Sequence, residues 1–198
     1  MQDAEPGWLD KVLNGDSQAF TNLVETYQRP VFNLCYRMLG NPQDAEDAAQ
    51  ETFLRAYKSM RRYDRSRPFS TWLLSIAAHY CIDQIRRQRY PVVSVEELPV
   101  PDLPDSNPGL ETGLSRKEEQ QRVRALLKSL EPVDRAAVIM YYWYDFSYEE
   151  ICQALSLSMS ALKSRLHRAR RLMALAWGER QLNNQGQGET LVPERMVP

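Results

Sequence analysis

Within 147–171, a short helical pattern is followed directly by a second helical pattern that is rich in cations. This pair constrains the fold of the chain more than any other feature. Ser147 followed by Glu150 is a capping box, in which each side chain satisfies a backbone N–H at the start of a helix. In the second pattern, apolar residues recur at helical spacing, at Leu162, Leu166, Ala169 and Met173. Cations occupy its other faces, and no acid lies between 163 and 173. These features predict a helix-turn-helix whose basic second helix suits the major groove of DNA and its phosphates.

The overall composition is typical of a globular protein, so the positions of the charges are more informative than their total. The 198 residues are 43% hydrophobic and 26% charged, with a net charge of -1. No apolar run approaches the ~20 residues of a membrane span, and the N-terminus does not resemble a signal peptide. We therefore expect a cytoplasmic protein without a membrane span. Cys35, Cys81 and Cys152 lie far apart in apolar helical patterns, which predicts buried free thiols, no disulfide and no zinc.

Apolar periodicity divides the chain into two helical units. We expect an all-α fold with small helical domains at 8–90 and 116–177, the second containing the helix-turn-helix. Between them, 91–115 predicts a flexible Pro-rich acidic linker, because its five prolines oppose helix formation and it carries five acidic side chains and no basic one. Such a linker would leave the spacing of the two domains free in solution. Residues 178–198 predict a disordered tail.

The helix expected at 41–60 has an apolar stripe, which includes Phe53 and Tyr57, and an unusual opposite side. That opposite side carries Asp44, Asp47, Glu51 and Leu54. One interpretation is a solvated acidic face whose early acids suit the helix dipole. Because Leu54 lies among the acids, we favour a protein-binding surface for a basic partner.

The segment 61–89 mixes aromatic and cationic side chains: Arg61, Arg62, Tyr63, Arg65, Arg67, Phe69, Trp72, Tyr80, Arg86 and Arg87. Such mixtures are typical of single-stranded DNA binding, because bases stack on rings while cations hold phosphates. The alternative is a set of core aromatics beside a solvated basic rim. We favour the core for Trp72 and Tyr80, and DNA for the arginines. The aromatic run at 141–144 is expected to be core and helix-packing material.

Three segments, in this order, resemble bacterial sigma factors of the sigma-70 family, in its extracytoplasmic-function (ECF) subfamily. DAEDAAQETFLRAY (44–57) resembles the family's motif for binding core RNA polymerase. PFSTWLLSIAAHYCIDQIRRQ (68–88) is similar to its −10 element segment, and YEEICQALSLSMSALKSRLHRARRLM (148–173) to its −35-reading helix-turn-helix. The resemblance covers 8–177, with both domains in family order around a linker.

The resemblance implies three sets of contact residues. Core polymerase would be bound by Asp44, Asp47, Glu51 and Leu54. The melted −10 strand and the phosphates beside it would be contacted by Tyr63, Arg67, Phe69, Thr71, Trp72, His79, Arg86 and Arg87. The −35 duplex would be contacted by Ser158, Ser160, Ala161, Lys163, Ser164, Arg165 and Arg168. The acidic linker would pass through the polymerase channel that later carries RNA.

Two departures from the family pattern affect what the resemblance implies about DNA. The family commonly has Asn where this chain has His79, and Gly-Thr where it has Ser160-Ala161. The base preference at these places therefore does not follow from the resemblance.

The resemblance implies core RNA polymerase and promoter DNA as partners, and it leaves open whether an anti-sigma factor is a further partner. The residues show no Gly-rich phosphate loop, metal site or nucleophile–base pair, so we expect no cofactor, no metal and no catalysis of covalent chemistry.

Two other classes of protein compete with this interpretation. A helix-turn-helix regulator that binds duplex DNA without polymerase would leave the acidic side of 41–60 and the aromatic-basic segment unexplained. A protein-binding module, such as a sigma mimic that sequesters a partner, conflicts with the intact cationic helix at 159–171. An enzyme is a remote third.

Overall fold

The structure, a computed structural model, describes residues 7–89 and 111–184, with side chains described for 7–88 and 119–176. Over these residues the chain forms α-helices and one 3-10 turn (Met60–Arg62), with no strand, which confirms the predicted all-α fold. The helices are α1 (Trp8–Leu13), α2 (Ser17–Leu39), α3 (Pro42–Ser59), α4 (Phe69–Arg89), α5 (Glu111–Ser129), α6 (Pro132–Tyr144), α7 (Tyr148–Leu155) and α8 (Met159–Asn184). None of these helices combines the length and the apolarity that crossing a bilayer requires.

Local sequence signals set the first helix boundaries. The carboxylate of Asp16 accepts hydrogen bonds from two backbone N–H groups in the first turn of α2, which is the chemistry of an N-cap. Gly40 ends α2 with a φ of 80°, a left-handed conformation that only glycine adopts at little cost. The side chain of Asn41 then caps α3 ahead of Pro42.

Helices α2, α3 and α4 pack together as the core of the N-terminal unit. Helix α4 is buried around most of its circumference, as the sequence predicts. Trp8 in α1 packs edge-on against Phe69 in α4, with ring centroids 4.5 Å apart. Cys35 and Cys81 are free thiols in this core. Their mutual contact, together with burial, raises the pKa of Cys81, so its thiol stays protonated.

Helices α5 to α8 form the C-terminal unit around α6, where Asp134 and the following six residues are all buried. The capping box of α7 forms as predicted: the Ser147 N–H donates to Glu150 at 2.8 Å, and the Glu150 N–H donates to Ser147 at 3.1 Å. Ser156, with a φ of 54°, turns the chain between α7 and α8.

The two units are packed against each other, whereas the sequence led us to expect a free spacing between them. Helix α2 contacts α5 and α6, and helix α4 contacts α6 and α7. Arg135, which is 4% exposed, donates to the carbonyl oxygens of Met38 in α2 and Lys128 in α5. The hydroxyl of Tyr144 donates to the carbonyl oxygen of Pro30 at 2.6 Å. The units therefore share side-chain hydrogen bonds across their interface.

Two helices extend past the boundaries that the sequence predicts. Helix α5 begins at Glu111, inside the expected linker, because the last proline of that segment is Pro108 and an acid favours a first helical turn. Helix α8 continues to Asn184, past the expected start of the tail, because the helix-forming residues around Gly178 outweigh its cost of ~1 kcal/mol. The rest of the expected linker and tail, 90–110 and 185–198, lies outside the described residues.

Candidate functional surfaces

The outer side of α3 presents an apolar residue among acids, which we call the acidic face (Asp44, Asp47, Glu51 and Leu54). Leu54 is 54% exposed, as the helical pattern predicts. Asp47 is exposed, and Asp44 and Glu51 are half-buried. Glu51 accepts a hydrogen bond from Nε of Arg55 at 2.7 Å.

Tyr57 lies one turn beyond Leu54 and differs from the prediction. The sequence placed it in the buried stripe of α3, but it is 53% exposed and packs edge-on against Phe20 at a centroid distance of 4.9 Å. Helical spacing puts it at the margin between the two sides, where a large ring extends past the core. The exposed apolar surface of α3 is therefore larger than predicted.

Phe69 belongs to the core, whereas the resemblance implies a contact with DNA. It is 2% exposed and lies under a cluster of rings. Its centroid is 4.5 Å from that of Trp8, 5.2 Å from that of Tyr27 and 5.4 Å from that of Tyr63. Trp72 is half-buried, with its ring 5.1 Å from that of Tyr63. Tyr63 and Trp72 thus form an accessible aromatic pair supported from below by Phe69.

Thr71 is covered by the C-terminal unit. It is 4% exposed, and its hydroxyl donates to Glu150 of α7 at 3.2 Å. Ser70 beside it is 7% exposed. Because α7 packs on the first turn of α4, Thr71 is covered in this arrangement, and its expected contact with DNA requires α7 to move away.

The other expected −10 contacts are at the surface. His79 is exposed, with Nδ1 2.8 Å from the carbonyl oxygen of Ser75. Arg67 is exposed and pairs with Asp64 at 3.3 Å, and Arg86 and Arg87 are exposed near the end of α4. Arg67 therefore lies beside the aromatic pair, since its carbonyl oxygen accepts from the Tyr63 hydroxyl, whereas Arg86 and Arg87 lie about four turns beyond Trp72.

Helix α8 presents a polar stripe, which we call the α8 stripe: Ser160, Lys163, Ser164, His167 and Arg171. These exposed residues recur at spacings of three and four, so they share one side of the helix. Ser158 caps the helix through the N–H of Ala161 at 3.3 Å. The sequence analysis missed His167, although its spacing from Lys163 was the available signal.

Arg165 and Arg168 point towards α6, away from the centre of the α8 stripe. Both donate to the carboxylate of Asp134, with Arg165 Nη1 2.7 Å from Oδ1 and Arg168 Nη2 2.9 Å from Oδ2. The Asp134 side chain is 2% exposed, against 32% for Arg165 and 54% for Arg168. Sequence reasoning missed Asp134 because it lies 31 and 34 residues from its partners.

The aromatic run at 141–144 packs between helices, as expected. Arg170 of α8 donates to the Tyr142 hydroxyl at 3.1 Å and lies 5.6 Å from the centre of the Tyr141 ring. Trp143 faces the other unit, with the Arg37 guanidinium 5.2 Å from its ring centre. The run therefore fixes α8 on one side and the unit interface on the other.

Comparison with known proteins matches both units to one family. The model for Sigma-70 region 2 matches residues 23–90, and that for Sigma-70, region 4 matches residues 120–173, together more than half of the chain. The ECF RNA polymerase sigma factor SigW of Bacillus subtilis is 33% identical over 169 residues, which are 82% of this chain and 90% of that protein. The chain belongs to the ECF group of sigma-70 sigma factors. As a member of this family, it is a transcription initiation factor that directs RNA polymerase to specific promoters.

Solved structures of sigma factors share its fold. CnrH, in complex with the cytosolic domain of CnrY, matches with a TM-score of 0.64 at 21% identity, over 87% of this chain and 96% of that chain. The sigma factor RpoE of Bartonella quintana, in complex with the anti-sigma factor NepR, matches with a TM-score of 0.59 at 20% identity, over 80% of this chain and 96% of that chain. At these identities the likeness concerns the fold alone.

The region 2 match of this sigma factor begins inside α2 and extends one residue past α4, and its region 4 match begins inside α5 and ends inside α8. The acidic face and the aromatic-basic segment both lie in region 2, and the α8 stripe lies in region 4. Within the described residues, no three His, Cys, Asp or Glu side chains are grouped as metal ligands.

Proposed function

We propose that this sigma factor binds core RNA polymerase mainly through the acidic face of α3. The observation that carries this proposal is the exposure of Leu54 and Tyr57, both more than half exposed one turn apart. Large apolar side chains with a charged border are typical of the centre of a protein interface. Asp47 and Glu51 supply that border and would pair with cations of the partner.

Charge reversal tests this surface. Asp47→Lys combined with Glu51→Lys should lower the affinity for purified bacterial core about tenfold, because the new charges repel a basic partner. Stability should change by only ~0.5 kcal/mol, as is usual for surface substitutions. The measurement is a titration of core with the labelled full chain, accompanied by thermal unfolding.

The matched control is Glu46→Lys, a reversal at an exposed acid of α3 that lies outside the acidic face. It should leave the affinity for core within twofold, a difference of about 0.4 kcal/mol. Equal losses in the control and the double variant would indicate a general charge effect, and unchanged affinity in the double variant would exclude this surface as the main anchor.

For the −10 element, we propose that the melted strand stacks on Tyr63 and Trp72, which are half-buried beside the exposed Arg67. Arg67 would hold phosphates near the pair, and Arg86 and Arg87 would hold those of the upstream duplex. His79, which is exposed about two turns beyond Trp72 on α4, would contact a base. Stacking of about 1–3 kcal/mol per base would offset part of the cost of melting.

For the −35 element, we propose that the α8 stripe enters the major groove. Lys163, Ser164 and His167 are exposed in the first turns of α8, the part of a recognition helix that reaches base edges. Ser158 and Ala161 lie at its N-terminus, where backbone N–H groups suit a phosphate. Arg168 lies at the border of the stripe, and Arg165 acts through its contact with α6.

We further propose that the protein carries out no covalent chemistry itself and acts in the cytoplasm, where polymerase and promoter DNA are found. An anti-sigma factor, the class of partner seen with the Bartonella protein, is a candidate third partner.

The deciding assay for the proposed function is transcription from a promoter library by purified bacterial core, with and without this chain. Sequence-selective transcripts that need both would support the proposal. Tight duplex binding by the chain alone, without stimulation of core, would favour a duplex-binding regulator.

A further inference from the structure

We propose that Asp134 is a positioning residue for the binding of −35 DNA. Its carboxylate holds the guanidinium of Arg168 in place for contact with a phosphate, and Arg165 is a second, supporting partner of that carboxylate. This inference rests on the proposed role of α8 at the −35 duplex. It adds a residue on another helix, with no direct contact to DNA, to that site.

The contacts around Asp134 account for both of its oxygens. Oδ1 accepts from Arg165 Nη1 at 2.7 Å and from Arg168 Nη2 at 3.3 Å. Oδ2 accepts from Arg168 Nε at 3.1 Å and from Nη2 at 2.9 Å. Arg168 therefore meets the carboxylate with one edge of its guanidinium, in the paired geometry that fixes orientation as well as distance.

Burial makes this arrangement rigid. The Asp134 side chain is 2% exposed, and a carboxylate removed from water is stable only when it is paired and hydrogen-bonded. Asp134 lies in the first turn of α6, in the packed core of the C-terminal unit, so its carboxylate is anchored by backbone and packing. The arginines come from the more exposed side of α8 and adjust to it.

The exposed part of Arg168 is what DNA would meet. A guanidinium has five N–H groups, and the Nε–Nη2 edge of Arg168 faces Asp134. The side chain is still 54% exposed, so the rest of the group is on the solvent side, next to the α8 stripe. Arg165 is only 32% exposed and is held more deeply. Because two guanidiniums share one carboxylate, the cluster keeps a net charge of +1, which suits a phosphate.

A charged side chain held in place by its neighbours loses less conformational entropy on binding than a free one. Within the part of the chain that the structure describes, Lys163 on the same helix is exposed and forms no ion pair. We therefore assign Arg168 the role of a fixed phosphate contact that sets the register of α8, and Lys163 that of an adaptable one.

The test measures binding of a promoter, selected from a library by the wild-type holoenzyme, at several salt concentrations. The holoenzyme is assembled from full-length chain and purified core. The variants are Asp134→Asn, Arg168→Ala and their combination, each with its unfolding temperature. The control is Glu149→Gln, which removes an exposed acid of α7 that contacts neither arginine.

Asp134→Asn and Arg168→Ala should each lower promoter affinity about tenfold and reduce the salt slope by about 1, the signature of a lost phosphate contact. The double variant should bind no more weakly than Arg168→Ala, because Asp134 acts through that arginine. Glu149→Gln should leave the salt slope unchanged.

Additive losses of affinity in the double variant, or an unchanged salt slope in Asp134→Asn, would reduce Asp134 to a purely structural role and overturn the inference. Tighter binding by Asp134→Asn would show that Asp134 shields the DNA site, and would also overturn it.

A second variant keeps the inference testable if Asp134→Asn does not fold. Arg168→Lys keeps the charge but cannot present a paired edge to a carboxylate. It should lower promoter affinity about fivefold at unchanged net charge, since a free cation is a weaker phosphate contact by about 1 kcal/mol. Wild-type affinity in Arg168→Lys would overturn the inference. A wild-type chain that fails to direct core to any promoter would instead overturn the proposed function.

Discussion

Phe69 lies in the core at the start of α4, beneath the residues expected to stack on DNA. It is 2% exposed among the rings of Trp8, Tyr27 and Tyr63, so it supports an aromatic surface without being part of it. Phe69→Ala should destabilise the N-terminal unit by about 3–5 kcal/mol, the usual cost of removing a buried ring. Phe69→Leu keeps most of the apolar volume, so promoter melting by the holoenzyme should be retained. Thermal unfolding and an open-complex assay measure the two effects.

A direct stacking role for Phe69 would give the opposite result for Phe69→Leu, namely normal stability with lost melting. Trp72→Leu is the comparison variant, because Trp72 is half-buried and open to solvent. Trp72→Leu should make promoter melting less favourable by ~1–3 kcal/mol, the stacking energy of one base. Equal melting by the two leucine variants would contradict the assignment of stacking to Trp72.

At the residue scale, the sequence could predict which side of a helix a residue occupies, but not its depth or its distant partner. The exposure of Leu54 follows from helical spacing alone. Phe69 and Thr71 lie in a segment whose mixed composition fits both a core and a DNA surface, and only packing against α1 and α7 decides between them. Asp134 carries no local signal, because its significance comes from two arginines on another helix.

At the scale of helices, caps fix the starts of α2, α3 and α7, and those of α3 and α7 lie where the sequence predicts them, because a cap is a local interaction. The start of α5 and the end of α8 differ from the expected boundaries for a related reason. Neither lies at a strong stop signal: 109–115 lacks proline, and Gly178 is flanked by helix-forming residues. Weak propensities extend a helix wherever no residue terminates it.

The start of α5 limits which part of the linker can be exchanged without disturbing a helix. Replacing 91–110 with a Gly/Ser segment of equal length removes four of the five acids and leaves Glu111 in place. We expect promoter binding by the holoenzyme to stay within about twofold, because an acidic segment gains nothing from DNA phosphates. Early RNA synthesis and promoter escape should change, since the family resemblance places the linker in the RNA channel.

Filter binding and abortive transcription assays separate these two effects. The control replaces the four acids of 91–110 with Gln or Asn and keeps the prolines, which separates the effect of charge from that of stiffness. A large loss of promoter binding with normal initiation would contradict the prediction.

At the scale of the whole molecule, the packed arrangement is incompatible with reading both promoter elements. The elements are about 25 base pairs apart, which is about 85 Å of duplex at 3.4 Å per base pair. A compact body of the size described here has a radius of gyration of about 15 Å, and so is roughly 40 Å across. Thr71 is also covered by α7. The two units must therefore separate before the α8 stripe and the aromatic pair can reach their elements together.

The sequence did not predict the packed arrangement because its cross-unit contacts involve backbone as much as side chains. Tyr144 and Arg135 donate to the carbonyl oxygens of Pro30 and Met38, which are 114 and 97 residues away. A carbonyl oxygen is present at every residue, so no sequence pattern marks these two as acceptors. The fold of each unit could be predicted from local signals, and their contact could not.

The packing of the two units should reduce the apparent affinity for core, because only the open fraction of molecules can bind. Tyr144→Phe removes one hydrogen bond across the interface, and burial raises the pKa of Tyr144, so its hydroxyl is a donor throughout the ordinary pH range. Loss of a bond worth ~0.5–1.5 kcal/mol should raise the open fraction, and with it the affinity for core, about twofold to tenfold.

The matched control is Tyr142→Phe, which loses a hydroxyl contact to Arg170 inside the C-terminal unit. It should leave the affinity for core unchanged. Titration of core with each labelled chain measures the difference, and equal or weaker binding by Tyr144→Phe would mean that polymerase does not have to open the packed form.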